Sequence, residues 1–144
     1  MKNRYLFPHS YRAYGWVLLF PFLVLGVSIL YFDFSFSFLE LKANRDNLFS
    51  GINLTDEIAA LGLIVSLLLI GFSKEKIEDE QIAQLRLDSL QWSVYFNYMV
   101  LAAAIIFIHG MAFLDAMVYN MFTLLVFFIV RFRWAVNREN RLLN

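Results

Sequence analysis

The sequence predicts an all-α membrane protein with four transmembrane helices, both termini in the cytoplasm, and a short charged cytoplasmic helix between helices two and three. Of its 144 residues, 60% are hydrophobic and the mean hydropathy is +0.62, which is too apolar for an ordinary soluble domain. Four long apolar runs follow one another, and the basic residues collect at alternate ends of these runs. The length suits one bundle, so residues 1–144 are expected to form a single domain.

Composition also narrows the function classes. The formal net charge is zero, so no global field attracts nucleic acid and no nucleic-acid partner is expected. The absence of cysteine excludes disulfides, thiolate metal sites and cysteine nucleophiles. Because no stretch carries a recognisable reaction chemistry, we predict no catalytic residue, no cofactor and no bound metal. The expected partner is the lipid bilayer itself.

The first span is predicted at about 13–32. This run is uncharged and, at about 1.5 Å per residue, spans roughly 30 Å of hydrocarbon. Its basic start also fits a signal peptide, but the apolar core exceeds the usual length of about 7–15 residues and no small-residue cleavage site follows. We therefore expect a retained helix, with a kink at Pro21.

An outer loop is predicted at 33–55. Phenylalanines alternate there with polar residues, and period two indicates a short extended segment with one aromatic face. This face either rests on the membrane interface and caps the bundle, or binds a lipid or a partner protein. Asn53 is the expected N-cap of the second span, at about 56–72.

A charged cytoplasmic helix is predicted at about 74–87, after a break at Gly71, because good helix formers fill this stretch. On a helix, Glu75, Glu78 and Asp79 share one face. This face is a solvated surface that pairs with nearby arginines (Arg12, Arg131 and Arg133), a docking surface for a protein partner, or a carboxylate site for a divalent metal. The candidate docking residues are Glu75, Glu78, Asp79, Glu80 and Arg86.

The third and fourth spans are predicted at about 89–109 and 116–134. Only Asp115 interrupts the apolar sequence between them. We therefore expect a tight hairpin over 110–115, with Asp115 as the N-cap of the fourth helix.

The basic residues set the predicted orientation. Ten of the twelve lie at one set of helix ends: Lys2, Arg4, Arg12, Lys74, Lys76, Arg86, Arg131, Arg133, Arg138 and Arg141. The other two, Lys42 and Arg45, lie in the predicted outer loop. Cytoplasmic loops carry the excess of Lys and Arg, so both termini are expected to be cytoplasmic. Trp16, Trp92 and Trp134 fall at the same helix ends, where amphipathic rings suit the interface.

Four polar residues are candidates for intramembrane roles. Asn97 is the deepest, and Ser66 lies at nearly the same depth. A hydrogen bond between them, with small residues on both helices, would place helices two and three in direct contact. His109 and Asn120 either form a polar pocket under the last hairpin or are simply solvated.

Five short stretches carry a resemblance: SKEKIEDE at 73–80, LRL at 85–87, SLQW at 89–92, NY at 97–98 and VYNMF at 118–122. In these stretches the chain resembles a group of small, uncharacterised four-helix integral membrane proteins of Bacteroidetes-type bacteria. The resemblance implies a multi-pass protein of a bacterial inner membrane. It implies no activity, ligand or catalytic residue.

Three functions remain open at this point. We favour a non-enzymatic interaction or regulatory module that contacts a protein partner through the 74–87 helix, and a homo-oligomer is a further assembly that we consider. An oligomeric small-solute or ion channel or transporter, lined by Ser66, Asn97 and Thr123, is the first alternative. A metal-dependent lipid-modifying enzyme that uses Glu75, Glu78 and Asp79 is the second.

Overall fold

A computed structural model describes residues 5–32 and 54–143. The described part contains four helices and no strand: α1 (Ser10–Phe32), α2 (Leu54–Gly71), α3 (Glu80–Phe107) and α4 (Met111–Leu142). The predicted all-α class is thus confirmed. The predictions for the loop at 33–55, its aromatic face and the N-cap at Asn53 fall wholly or almost wholly outside the described residues.

Three of the described helices, α1, α3 and α4, are long and apolar enough to cross a membrane. This agrees with a membrane protein. Pro21 lies inside α1, as predicted.

The helices pack as two pairs, α1 on α2 and α3 on α4, and the pairs meet along α2 and α4. The start of α1 lies close to the end of α2: a Cβ added at Gly15 would lie 2.8 Å from the Ile70 side chain. Between α3 and α4, the stacked rings of Phe96 and Phe127 lie 4.3 Å apart. Helices α1 and α3 begin, and helices α2 and α4 finish, on the same side of the bundle. We call this side the charged end.

The prediction that helices two and three pack directly is wrong in its choice of partner. The main neighbours of α2 are α1 and α4. A Cβ added at Gly62 would lie 2.3 Å from the Phe22 ring, so this glycine admits a side chain of α1. A small residue does allow close approach in lipid, but it does not specify which helix approaches.

The buried hydrophobic core lies toward the charged end. Its members are Leu67, Ile70, Ile82, Phe128, Ile129, Phe132 and Val136. They come from the end of α2, the start of α3 and the second half of α4, so this part of the bundle draws on three helices.

The predicted separate helix at 74–87 is replaced by two features. Residues 74–79 form an irregular loop, and α3 begins at Glu80 and continues unbroken to Phe107. Asp79 has an extended backbone, and its carboxylate accepts a 2.8 Å hydrogen bond from the amide of Ile82. Asp79 therefore acts as an N-cap, and the helix starts at Glu80, six residues later than the predicted start at about 74.

The last hairpin is also tighter than predicted. Gly110 has a φ of 75°, a left-handed conformation that glycine adopts readily, so α4 begins directly after it at Met111. Asp115 consequently lies inside α4 and is not its N-cap. The helix also continues past 134 to Leu142, so Arg138 and Arg141 are helical.

Candidate functional site at the charged end

The chain before α1 is attached to the loop that follows α2. The amide of Phe7 donates to the carbonyl of Phe72 at 3.0 Å, and the amide of Lys74 donates to the carbonyl of Phe7 at 2.9 Å. These two bonds form a single parallel bridge between Phe7 and Ser73. They fix the start of α1 beside residues 72–79, which we call the acidic loop.

Glu75 joins the acidic loop to α1 and α4. Both its carboxylate oxygens lie 2.7 Å from Nη1 of Arg12, and its Oε1 lies 3.7 Å from Nη1 of Arg133. The Glu75 side chain is only 14% exposed, so solvent screens this group less than an ordinary surface pair. The predicted pairing of the acidic residues with Arg12 and Arg133 is confirmed at Glu75. Arg131 instead lies over the Trp92 ring.

Arg86 binds two further residues of the acidic loop, Ser73 and Glu78. Its guanidinium lies 2.5 Å from Glu78, donates to the carbonyl of Ser73 at 3.3 Å, and lies 4.8 Å from the Phe132 ring centroid. Arg86 is 7% exposed, so it is an internal anchor. Truncating one partner of such a pair leaves the other charge without compensation.

Four of the five residues predicted to dock a partner are therefore engaged within the chain. Glu75 and Glu78 bind arginines, Arg86 is buried, and Asp79 caps α3. Glu80 is exposed. Sequence reasoning missed the bridge made by Phe7, because a backbone pairing leaves no side-chain signal.

A groove opens beside this cluster, with a volume of about 570 Å³. Its lining residues are His9, Ser10, Arg12, Ala13, Trp16, Arg133 and Asn137. The Nε2 atom of His9 is buried and has no hydrogen-bond partner in the described part of the chain. The sequence predicts that Arg12 and Arg133 lie on the same side of the membrane, but it does not predict that His9 and Asn137 line a groove with them.

The structure does not join the two deepest polar residues. The Ser66 hydroxyl donates to the Gly62 carbonyl at 2.6 Å, within α2. Asn97 is buried in α3, and its Oδ1 has no partner among the described residues, as is also true of Asn120 Oδ1. The predicted Ser66–Asn97 hydrogen bond is therefore wrong. His109 is exposed in the turn between α3 and α4.

Within residues 5–32 and 54–143, no group of three or more His, Asp or Glu side chains is placed to hold a metal ion. Comparison of the chain with protein-family models, curated proteins and solved structures gives no match. The residues of the charged end form a network of two glutamates, Glu75 and Glu78, and three arginines, Arg12, Arg86 and Arg133, with one positive charge in excess.

Proposed function

We propose that this chain is a four-span protein of a bacterial inner membrane, with both termini in the cytoplasm, that acts as a non-enzymatic interaction or regulatory module. The fourth span is α2, whose 18 residues reach about 27 Å and which packs along α1. The excess of basic residues at the charged end supports its cytoplasmic placement. The resemblance described above supports the bacterial membrane.

The observation that carries the module proposal is that two helices continue past their apolar segments at the charged end. Residues 80–88 of α3 and 135–142 of α4 extend about 13 Å and 12 Å beyond the predicted spans. We call these two segments the stub. Ile82 and Val136 belong to the buried core, and Gln81 donates to Glu139 across the two helices. The stub is therefore a packed two-helix surface.

One face of the stub is available for a partner. Glu80, Gln84 and Leu87 follow one another at spacings of four and three residues, which places them on one side of α3. All three are exposed, and Leu87 is 66% exposed although it is apolar. On such a face an exposed leucine can supply the apolar centre of a protein contact, and the polar residues beside it can form the rim. We propose this face, in place of Glu75, Glu78 and Asp79, as the docking surface.

The same geometry gives less support to the two alternatives. The hydroxyls of Ser66 and Thr123, proposed to line a channel, both donate to carbonyls of their own helices. The carboxylates proposed for an enzyme, Glu75 and Glu78, accept hydrogen bonds from arginines. These hydroxyls and carboxylates are therefore already engaged within the chain.

Site-specific photocrosslinking in cells tests the proposal. A photoreactive residue at Gln84 is expected to give an adduct of defined mass, whereas one at Ala103, exposed about 28 Å away along α3, gives none. An adduct at twice the 16.9 kDa chain mass would identify a second copy as the partner.

The matched control variant uses two of the exposed leucines at this end, Leu87 and Leu142. Leu87→Ser should abolish the Gln84 adduct, and Leu142→Ser, on α4, should leave it in place. Equal adducts from positions 84 and 103, or a Gln84 adduct that survives Leu87→Ser, would contradict the proposed surface.

A further inference from the structure

The groove beside Arg12 and Arg133 has unused capacity for an anion. Two guanidinium groups converge there on one carboxylate, Glu75, which leaves one positive charge in excess. Arg12 is hydrogen-bonded to that carboxylate at 2.7 Å, whereas Arg133 remains 3.7 Å away, beyond hydrogen-bond distance. The Arg133 guanidinium therefore keeps donors free, and their planar arrangement matches the oxygens of a phosphate group.

His9 supplies an independent observation. Its Nε2 is buried and unpartnered among the described residues, although a buried polar atom is normally hydrogen-bonded. His9 and Arg133 both line the groove. Because Nε2 is closed off from solvent, the His9 ring must turn toward the groove before a phosphate oxygen there can accept a hydrogen bond from Nε2–H, which would remove the desolvation cost of this nitrogen.

The start of α1 adds to the positive potential. The groove includes Ser10, the first residue of α1, and the first turn of this helix contains no acidic residue. The amides of Tyr11 and Arg12 already donate to the carbonyls of Pro8 and His9, so this contribution comes from the helix dipole and not from unpaired amides. This contribution supplements the two arginines and His9.

The depth of the groove identifies the source of the anion. Trp16 lines it and is 52% exposed, and tryptophan favours the level of the lipid headgroups. With the charged end at the membrane surface, the groove would lie beside lipid phosphates. This step rests on the proposed membrane placement of the chain.

We propose that this groove binds the phosphate diester of an anionic phospholipid, with Arg133 and His9 as its main donors. The single negative charge of the diester matches the single excess positive charge of the groove. A zwitterionic headgroup would bring its own cation next to Arg12 and Arg133, so an anionic lipid should be preferred.

Lipid retention by the purified full-length chain in detergent tests the site. Phosphatidylglycerol and phosphatidylcholine of the same acyl composition are titrated separately, and bound lipid is counted by native mass spectrometry. We expect phosphatidylglycerol to bind about tenfold more tightly than phosphatidylcholine, and Arg133→Gln to remove this preference. Arg138→Gln is the matched control, since Arg138 is another arginine of α4 but lines a separate groove. It should retain the preference.

His9→Phe, which keeps a ring but removes the Nε2–H donor, provides a second variant should Arg133→Gln not fold, and we expect it to weaken phosphatidylglycerol binding severalfold. Equal losses in the Arg133 and Arg138 variants would show diffuse surface charge and overturn the proposal. Inorganic phosphate that displaces the lipid at equal concentration would overturn the lipid assignment in favour of a soluble anion. Since this assay needs no protein partner, its failure is distinguishable from a failure of the stub to dock one.

Discussion

Glu75 accepts hydrogen bonds through both carboxylate oxygens from Nη1 of Arg12, each at 2.7 Å, although 63 positions separate the two residues. The contact attaches the acidic loop to the start of α1. Arg133 of α4 lies 3.7 Å from the same carboxylate. One side chain thus contacts or approaches residues from both helix pairs, which makes it a structural element of the charged end.

Replacing Glu75 by Gln should destabilise the chain. The change removes the negative charge between two arginines in a partly buried position, and we expect a loss of about 1–2 kcal/mol, between the values typical of exposed and of buried pairs. Thermal unfolding in mild detergent measures this loss. The control is Glu80→Gln, which removes an exposed carboxylate from the same region and should leave the midpoint close to that of the wild type. Equal midpoints for the two variants would show that the Glu75 contacts contribute little.

Replacing Asp79 by Ala should loosen the first turn of α3. The carboxylate accepts from the amide of Ile82, and loss of such a cap costs about 1 kcal/mol. Hydrogen exchange of the amides at 80–83 should quicken in Asp79→Ala. Asp79→Asn keeps an accepting oxygen and should behave like the wild type. Unchanged exchange in the Ala variant would mean that the Ile82 hydrogen bond does not hold this turn.

Gly62→Ala should disturb the packing of α1 on α2. The added Cβ would lie 2.3 Å from the Phe22 ring, so the ring must move, and overpacking of this kind costs about 1–3 kcal/mol. The matched control is Gly26→Ala, since its Cβ would meet Leu63 at an ordinary 3.6 Å. Unfolding midpoints of the two variants in detergent give the comparison.

In a double-mutant cycle, Gly62→Ala should cost less stability in a Phe22→Ala background than in the wild type, because the smaller side chain makes room for the new methyl group. A midpoint for Gly62→Ala equal to that of Gly26→Ala would contradict the observed contact.

The sequence was informative where one property dominates. Uninterrupted apolar runs predicted the helical class, because a membrane-spanning backbone must satisfy its own hydrogen bonds. The common side of Arg12, Glu75 and Arg133 predicted their pairing, because opposite charges at one membrane surface attract. The helix start at Glu80 was not predictable from helix propensity. The amide of Lys74 donates a hydrogen bond to the carbonyl of Phe7, and Asp79 caps the first turn of α3.

The sequence did not show which helices and residues contact each other. Gly62 marks a close approach, but only the three-dimensional arrangement shows that Phe22 fills it. Likewise, Asp115 has a suitable side chain for an N-cap, yet the left-handed backbone of Gly110 starts α4 earlier. The groove lined by His9 and Asn137 joins residues from the two ends of the chain, which no local pattern connects.

The most direct test of the four-span, N-in/C-in account is cysteine labelling from one side of the membrane. The natural chain contains no cysteine, so single cysteines at Asn47, Lys76, His109 and Asn140 are introduced without background. An impermeant reagent applied outside intact cells should label positions 47 and 109, and positions 76 and 140 only after the membrane is opened. Labelling of positions 47 and 76 from the same side would show that α2 does not span the membrane and would contradict the account.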